Sequence, residues 1–218
     1  MNDLLTQLNG GSVPTLDLFF LLTLAALIPS LVVMMTSFTR TIIIVSFTRN
    51  AMGVQQAPPN MVLVGISLFL TLYIMSPVIS EINEEAYQPY IRQEISQEEA
   101  AQRMVVPLKR FMLRNMETDT LDNFIGMSGT EVVEDPMDYP LTVVVPAFMT
   151  CELKKGFIAG FCIYLPFLLV DIIVSTTLMS MGMVMLPPAM VSLPFKLLLF
   201  VTVDGWELLF SNIVMGFR

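Results

Sequence analysis

The hydrophobic pattern of the chain is dominated by long stretches that contain no charged residue. They run from Leu18 to Thr39, from Asn50 to Ser80, from Gly156 to Val170 and from Ile172 to Phe195. A helix of about 20 apolar residues crosses a bilayer core of about 30 Å. The pattern therefore predicts four hydrophobic segments, at Leu16–Met35, Met61–Ile79, Phe157–Met181 and Ala189–Phe210. They belong either to an integral membrane protein, which the pattern favours, or to part of a large apolar assembly.

The residues before the first apolar stretch are mostly polar. Met1–Val13 lacks both the basic opening and the small-residue end of a secretory signal. We therefore expect the first apolar segment to be retained, with a kink at Pro29 because proline interrupts helical hydrogen bonding.

Residues 81–140 form a polar insert with helical patterns. Ser96–Glu99 has the form of a capping box, and apolar residues recur every three or four positions from Ala100 to Met112. A shorter helix is predicted at Thr120–Ile125, a loop at Glu131–Pro140 and a weak strand candidate at Leu141–Val145. We divide the chain into an N-terminal helical hairpin (1–80), an acidic, largely helical insert (81–140) and a C-terminal helical hairpin (141–218).

The amino-acid composition supports this division and argues against one class of function, nucleic-acid binding. Of the 218 residues, 55% are hydrophobic and 14% charged, against about 25% charged in ordinary soluble domains. Residues 81–138 contain 13 acidic and five basic side chains, which accounts for the whole net charge of −8. The insert must therefore face water. Clustered Lys and Arg, the mark of a nucleic-acid-binding surface, are missing, so we expect no nucleic-acid partner.

The side chains that usually hold metals or cofactors are scarce. The chain contains no histidine, and its two cysteines, Cys151 and Cys162, are eleven residues apart. On one helix that spacing separates them by about 16 Å, which is too far for a disulfide. We expect no metal, no cofactor and no catalytic residue.

Charged residues inside the apolar segments are candidates for function. Asp171 is either a proton or ion relay, as in an independent channel or transporter, or a structural partner for Lys196 or for a neighbouring chain. Asp204 and Glu207 flank Trp206, and paired carboxylates can do acid–base chemistry; no nucleophile or metal cluster accompanies them, so an enzyme is the weakest alternative. An unpaired charge in hydrocarbon costs at least about 2.5–3.5 kcal/mol, so such groups usually pair or face water.

A methionine-rich turn, Thr177–Pro188, separates the last two apolar segments. Methionine is flexible and polarizable, Gly182 permits unusual backbone angles, and Pro188 cannot continue a helix that arrives from upstream. The turn is either a soft apolar gasket or simply core filling in a chain that contains 18 methionines.

Several short blocks, in order along nearly the whole chain, resemble the FliP family, the flagellar branch of the type III secretion export-gate proteins. The blocks are Met34–Arg40, Arg49–Gly53, Ala57–Asn60, Met75–Ile79, Ala86–Tyr90, Glu152–Lys154, Leu193–Lys196 and Val203–Trp206. The virulence-associated injectisome counterpart shares Arg49–Ala51 and Asp204–Trp206. Thr36–Arg40 and Leu193–Lys196 are more similar to the flagellar branch.

The resemblance implies an all-α fold of long kinked helical hairpins that assembles into a ring-shaped helical cone. Five copies are expected with FliR-like and FliQ-like subunits and a neighbouring FlhB-like subunit. The cone is expected in the bacterial inner membrane, at the flagellar basal body and largely on its periplasmic side. It would conduct unfolded flagellar proteins and catalyse nothing itself.

The resemblance also implies roles for individual residues. Met181, Met183, Val184 and Met185 match the region that closes the pore, with Val184 replacing a methionine. Glu152 and Lys196 match positions that form an ion pair between neighbouring subunits. Phe124 matches a position linked to subunit contact. Independently of the resemblance, Asp171 and Asp204 are expected as buried charges because they lie in apolar segments.

Overall fold

The computed structural model describes residues 33–54, 57–183 and 185–217, together with Phe19, Leu22, Thr23, Ala26, Leu27 and Ser30. The regular elements of these residues are helices, and no strand occurs among them, so the predicted all-α class is confirmed. The helices are α1 (Phe38–Ala51), α2 (Asn60–Ile82), α3 (Gln88–Ile91), α4 (Gln97–Arg114), α5 (Thr118–Ser128), α6 (Leu141–Ser180), α7 (Pro188–Thr202) and α8 (Gly205–Met215). A π-helical turn at Asn83–Tyr87 joins α2 to α3, and a 3-10 turn lies at Pro136–Asp138.

The structure agrees with some of the predicted apolar segments and corrects others. The segment Leu16–Met35, with Pro29, lies mostly outside the described residues. Met61–Ile79 is confirmed as the body of α2. By length and composition, the described part of the chain has two helices able to cross a membrane, Asn60–Ile91 and Leu141–Ser180. A third crossing arises if α7 and α8, whose axes are bent by 61°, count as one broken span.

The predicted strand at Leu141–Val145 is wrong, because these residues form the first turn of α6. Pro140 is the residue just before the helix, and its carbonyl accepts hydrogen bonds from the N–H groups of Val143 (3.0 Å) and Val144 (3.2 Å), which start the helix. The third apolar segment therefore begins at Leu141 rather than Phe157, and α6 contains 40 residues. At 1.5 Å per residue it is about 60 Å long.

The fourth apolar segment is not one helix. Asp204 adopts the left-handed conformation, with φ 50° and ψ 48°, and separates α7 from α8. Gly205 follows because the ring of Phe200 lies where a side chain would be, 2.4 Å from an ideal Cβ. The bend brings α8 back towards α1 and the main core.

The insert helices are close to the predicted ones. The Ser96 hydroxyl accepts a hydrogen bond from the backbone N–H of Glu99 (3.1 Å) at the start of α4, which confirms this half of the capping box. The predicted short helix extends to Thr118–Ser128 and ends at Gly129 with φ 66°. Residues 131–140 are a loop, as predicted, except for the 3-10 turn.

The main core surrounds the first half of α6. Phe148 is fully buried there and packs against Phe111 of α4, with ring centroids 6.0 Å apart. Leu121 and Ile125 of α5 belong to the same buried cluster. The insert thus contributes to the core although its outer surface is acidic. The division of the chain into three domains stays a prediction.

Helices α1 and α6 lie side by side in the same direction and pack very closely. Two glycines of α6 make this possible. An ideal Cβ on Gly160 would lie 2.6 Å from Cγ of Phe47, and one on Gly156 would lie 3.2 Å from a methyl carbon of Ile43. Close approach through small residues is typical of helices packed within membrane proteins.

Beyond Gly160, α6 leaves the core and forms a hairpin with α7. Between Phe161 and Ser180 the buried residues are Phe167 and Leu178. Many large apolar side chains of the hairpin are exposed, including Phe161, Leu169, Ile172, Ile173, Phe195, Leu198 and Val201. The hairpin therefore presents an apolar surface that the other described residues leave exposed.

Candidate functional site

The tip of the hairpin is a short turn made by the end of α6. The N–H of Met183 donates to the carbonyl of Leu178 (3.0 Å), and the N–H of Gly182 donates to the carbonyl of Met179 (3.1 Å). This pair of bonds is a Schellman motif, which needs a left-handed residue after the helix. Gly182 has φ 74° and supplies it.

The methionines of this turn project away from the chain. Met185 is 98% exposed, Met181 63% and Met183 42%. Val184 lies outside the described residues. Pro187 and Pro188 then begin α7 at positions where a backbone N–H is not required. The turn is therefore a rigidly capped helix end that carries flexible thioether side chains into open space.

The base of the hairpin contains a buried ion pair. The guanidinium of Arg40 in α1 binds both carboxylate oxygens of Glu152 in α6, with Nε 2.9 Å from Oε2. Arg40 is 7% exposed and Glu152 is fully buried. Arg40 also donates to the carbonyl of Gly216 (3.1 Å) and stacks on the ring of Phe217 at 3.8 Å. This arrangement fastens α1, α6 and the C-terminal end of α8 together.

A second polar cluster lies higher in the hairpin. The Lys196 ammonium of α7 donates to Oδ2 of Asp171 in α6 (2.6 Å), and the Ser192 hydroxyl donates to Oδ1 (2.6 Å). Lys196 and Ser192 are buried, whereas Asp171 is partly exposed. Within this chain, Asp171 is thus a structural partner of Lys196, which is one of the two roles that the sequence leaves open.

The expected pairing of Glu152 with Lys196 between subunits stays a prediction, because the structure holds one chain. Within that chain both residues already have other partners. Sequence reasoning missed Arg40 as the partner of Glu152. A signal was available, since Arg40 interrupts an apolar stretch and such a charge needs a counterion.

The remaining candidate residues are dispersed. Asp204 and Glu207 are exposed, and their carboxylates make no hydrogen bond or ion pair with other described residues. A cleft of about 280 Å³ beside them is formed largely by Phe200 and Trp206. Phe124 is half-buried and packs against the main core. No group of three or more potential metal ligands converges within the described ranges.

Comparison with known proteins decides the family. The model of the FliP family matches residues 21–213, which include the methionine turn and both ion pairs described above. The chain belongs to the FliP family.

Three relatives show how far the similarity extends along the FliP-family chain. The flagellar biosynthetic protein FliP of Aquifex aeolicus (strain VF5) is 46% identical over 212 residues, which cover 96% of this chain and 89% of that protein. The protein of the same name from Bacillus subtilis (strain 168) is 46% identical over 203 residues, covering 93% and 92%. That of Pectobacterium carotovorum subsp. carotovorum is 46% identical over 211 residues, covering 96% and 82%.

Proposed function

We propose that this FliP-family chain is the pore-forming core subunit of the flagellar protein export gate. Identical copies would enclose a channel in the bacterial inner membrane, and unfolded flagellar proteins would leave the cytoplasm through it. The family match and the names of the similar proteins support the flagellar role. The observation that best supports a channel is the exposed apolar surface of the hairpin, together with the exposed methionines at its tip.

The length of α6 argues for assembly rather than for a solitary spanning helix. The exposed large apolar side chains of α6 extend from Leu153 to Met179, which is about 39 Å along the axis and longer than the bilayer core of about 30 Å is thick. Lipid can therefore cover only part of its exposed apolar surface. The rest needs protein, and copies of the same hairpin are a simple source because identical surfaces repeat around a ring. We propose a ring-shaped helical cone, largely on the periplasmic side, with five copies.

The partners of the ring follow from the family resemblance. FliR-like and FliQ-like subunits would complete the cone, and a FlhB-like subunit would lie beside it. The acidic outer surface of the insert would face water. This subunit would act as a conduit and not as an enzyme, with energy supplied by other components of the export apparatus.

The methionine turn would close the channel. Met181, Met183 and Met185 of each copy would meet at the narrowest point, where unbranched side chains can seal around one another and around a passing polypeptide. Val184 stands where a further methionine is expected. Its branched side chain has fewer rotamers, so this gate would adapt less than a ring made of methionine alone.

Two alternative functions can be distinguished from the flagellar export gate. An injectisome gate would use the same geometry, and the flagellar names of the relatives argue against it. An independent ion channel would use Asp171 as a relay, and its pairing with Lys196 argues against that. An independent channel would pass ions through liposomes containing this chain alone, whereas the export gate would need its partner subunits.

The gate is tested by truncating its methionines in the assembled complex. Met183→Ala together with Met185→Ala would remove the side chains that fill the constriction, so ion leakage across liposomes containing the full complex should rise several-fold. Met127→Ala is the matched control, because Met127 is a similarly exposed methionine (71%) in the insert. Unchanged conductance in the double variant, with normal assembly, would contradict the gate.

A further inference from the structure

A cavity of about 290 Å³ lies between α1, α6 and α8, at the base of the hairpin. It differs in chemistry from the other clefts described. The cleft between α6 and α7 is lined by residues such as Val170, Val174 and Phe195, and the cleft beside Trp206 contains carboxylates. This cavity instead contains the two cationic side chains Arg40 and Lys155.

The cavity has a polar end and an apolar end. Arg40, Lys155 and Gly216 lie at the same level, since Arg40 binds both Glu152 and the Gly216 carbonyl. Ile163 lies eight residues beyond Lys155 on the same helix, which is about 12 Å along the axis. The walls towards that end are formed by Ile44, Ile158, Ala159, Ile163 and Leu209.

The polar end has hydrogen-bond donors to spare. Lys155 donates to the carbonyl of Asn115 (2.8 Å) and forms no ion pair with a carboxylate of the described residues. An ammonium group has three N–H bonds, so two remain for a ligand. The neighbouring Lys154, by contrast, is paired with Glu117 (2.6 Å) and does not line the cavity. Lys155 thus leaves a local positive charge in a chain whose net charge is −8.

The size of the cavity limits the ligand. Small-molecule sites usually measure about 300–1,000 Å³, so a cavity at the lower end of that range holds only part of a larger amphipathic molecule. Ile158 lines the cavity and is itself 55% exposed, and Leu165, two turns further along the same face of α6, is exposed as well. An apolar tail could therefore leave the cavity along a surface that is itself apolar.

We propose that this cavity binds an acidic phospholipid. The phosphate accepts hydrogen bonds from Lys155 and from the free N–H groups of Arg40, and the start of one acyl chain lies along Ile158 and Ile163. Such a lipid would fill the space at the meeting point of the three helices that the Arg40–Glu152 pair fastens. This proposal does not depend on the export function.

The test is lipid binding to the purified full-length protein in detergent, measured by native mass spectrometry. Phosphatidylglycerol and phosphatidylcholine with identical acyl chains are the probes. One basic residue near a lipid surface contributes about 1 kcal/mol, or about five-fold in affinity. We expect phosphatidylglycerol to be preferred, and Lys155→Gln to reduce the preference about five-fold while Lys155→Arg retains it.

Two further variants distinguish binding in this cavity from a general effect of positive charge on lipid binding. Lys154→Gln removes an equal charge next to the site and should leave the preference unchanged. Ala159→Leu fills the apolar end, so it should weaken binding of both lipids without removing a charge. Equal loss in the Lys155→Gln and Lys154→Gln variants, or equal binding of both lipids by the unmodified protein, would overturn the proposal. Competition by glycerol 3-phosphate at the lipid's own concentration would overturn the lipid assignment in favour of a free phosphate site.

Discussion

Arg40 makes contacts that no other basic side chain could reproduce. Its planar guanidinium binds Glu152 through two parallel N–H groups, donates to a backbone carbonyl and stacks on an aromatic ring at the same time. A lysine offers a point charge without this fork. Because the Glu152 carboxylate is fully buried, its charge depends mainly on this partner.

Removing one member of this pair should destabilise the fold strongly. Glu152→Gln leaves the Arg40 charge buried without a counterion, which costs about 3–5 kcal/mol. For a chain of this size that lowers the melting temperature in detergent by at least about 6 °C. Arg103→Gln is the control, because its pair with Glu99 is nearly half exposed on both sides and exposed pairs contribute about 0–1 kcal/mol. Equal melting of the Glu152→Gln variant and the unmodified protein would contradict this account.

Individual residues were predictable from the sequence only where chemistry limited the choice. A lone Asp and a lone Lys in neighbouring apolar segments had few available partners, so Asp171–Lys196 could be anticipated as one of two alternatives. The partner of Glu152 could not be chosen in the same way. Arg40 lies 112 residues away, and sequence spacing says nothing about which two distant helices become neighbours.

Helices α1 and α6 approach each other very closely at Gly160 of α6. Among the described glycines, only Gly205, between α7 and α8, has a neighbouring atom closer to an ideal Cβ. Both Cγ and Cβ of Phe47 lie within 3 Å of the place where a Gly160 side chain would begin. Rotation of the ring alone cannot relieve that overlap, because Cβ is attached to the backbone. The two helices would have to separate.

Gly160→Ala should therefore be destabilising although alanine is the better helix former. Overpacking of this kind costs about 1–3 kcal/mol. Gly65→Ala in α2 is the matched control, since no atom lies within 4 Å of the added methyl group, and it should be neutral or stabilising by up to about 1 kcal/mol. Thermal unfolding of both variants in the same detergent compares them. A Gly160→Ala variant that melts at or above the Gly65→Ala variant would refute the close packing.

Helix boundaries that depend on short-range sequence signals were predicted well. Boundaries that depend on packing with distant parts of the chain were not. The cap at Ser96 and the stop at Gly129 are short-range features, so α4 and α5 could be located from the sequence. The start of α6 was misjudged because Pro140 and Pro146 suggested the limits of a strand. The break at Asp204 was missed although Asp204-Gly205 is a dipeptide typical of turns, because the apolar residues of α7 and α8 read as one continuous hydrophobic segment.

The described part of the molecule combines a compact base with a hairpin that exposes apolar side chains. The first half of α6 is buried among α1, α4, α5 and α8, whereas the second half exposes apolar side chains to its surroundings. A chain that hides its apolar surface at one end and presents it at the other is suited to assembly. The apolar segments could be located from composition alone, but the packing of the helices in the base is not encoded in any local pattern.

The central claim is that the methionine turns of neighbouring copies meet in the closed channel, and disulfide cross-linking tests it most directly. Cys162, which is exposed, is first replaced by serine, while the buried Cys151 is retained. Met183→Cys or Met185→Cys is then introduced, with Met127→Cys as the control, and the assembled complex is oxidised in the membrane. We predict cross-linked dimers for both turn variants and none for the control. If the turn variants remain monomeric under oxidation and are instead labelled by a lipid-soluble maleimide, the methionines face lipid and the account is contradicted.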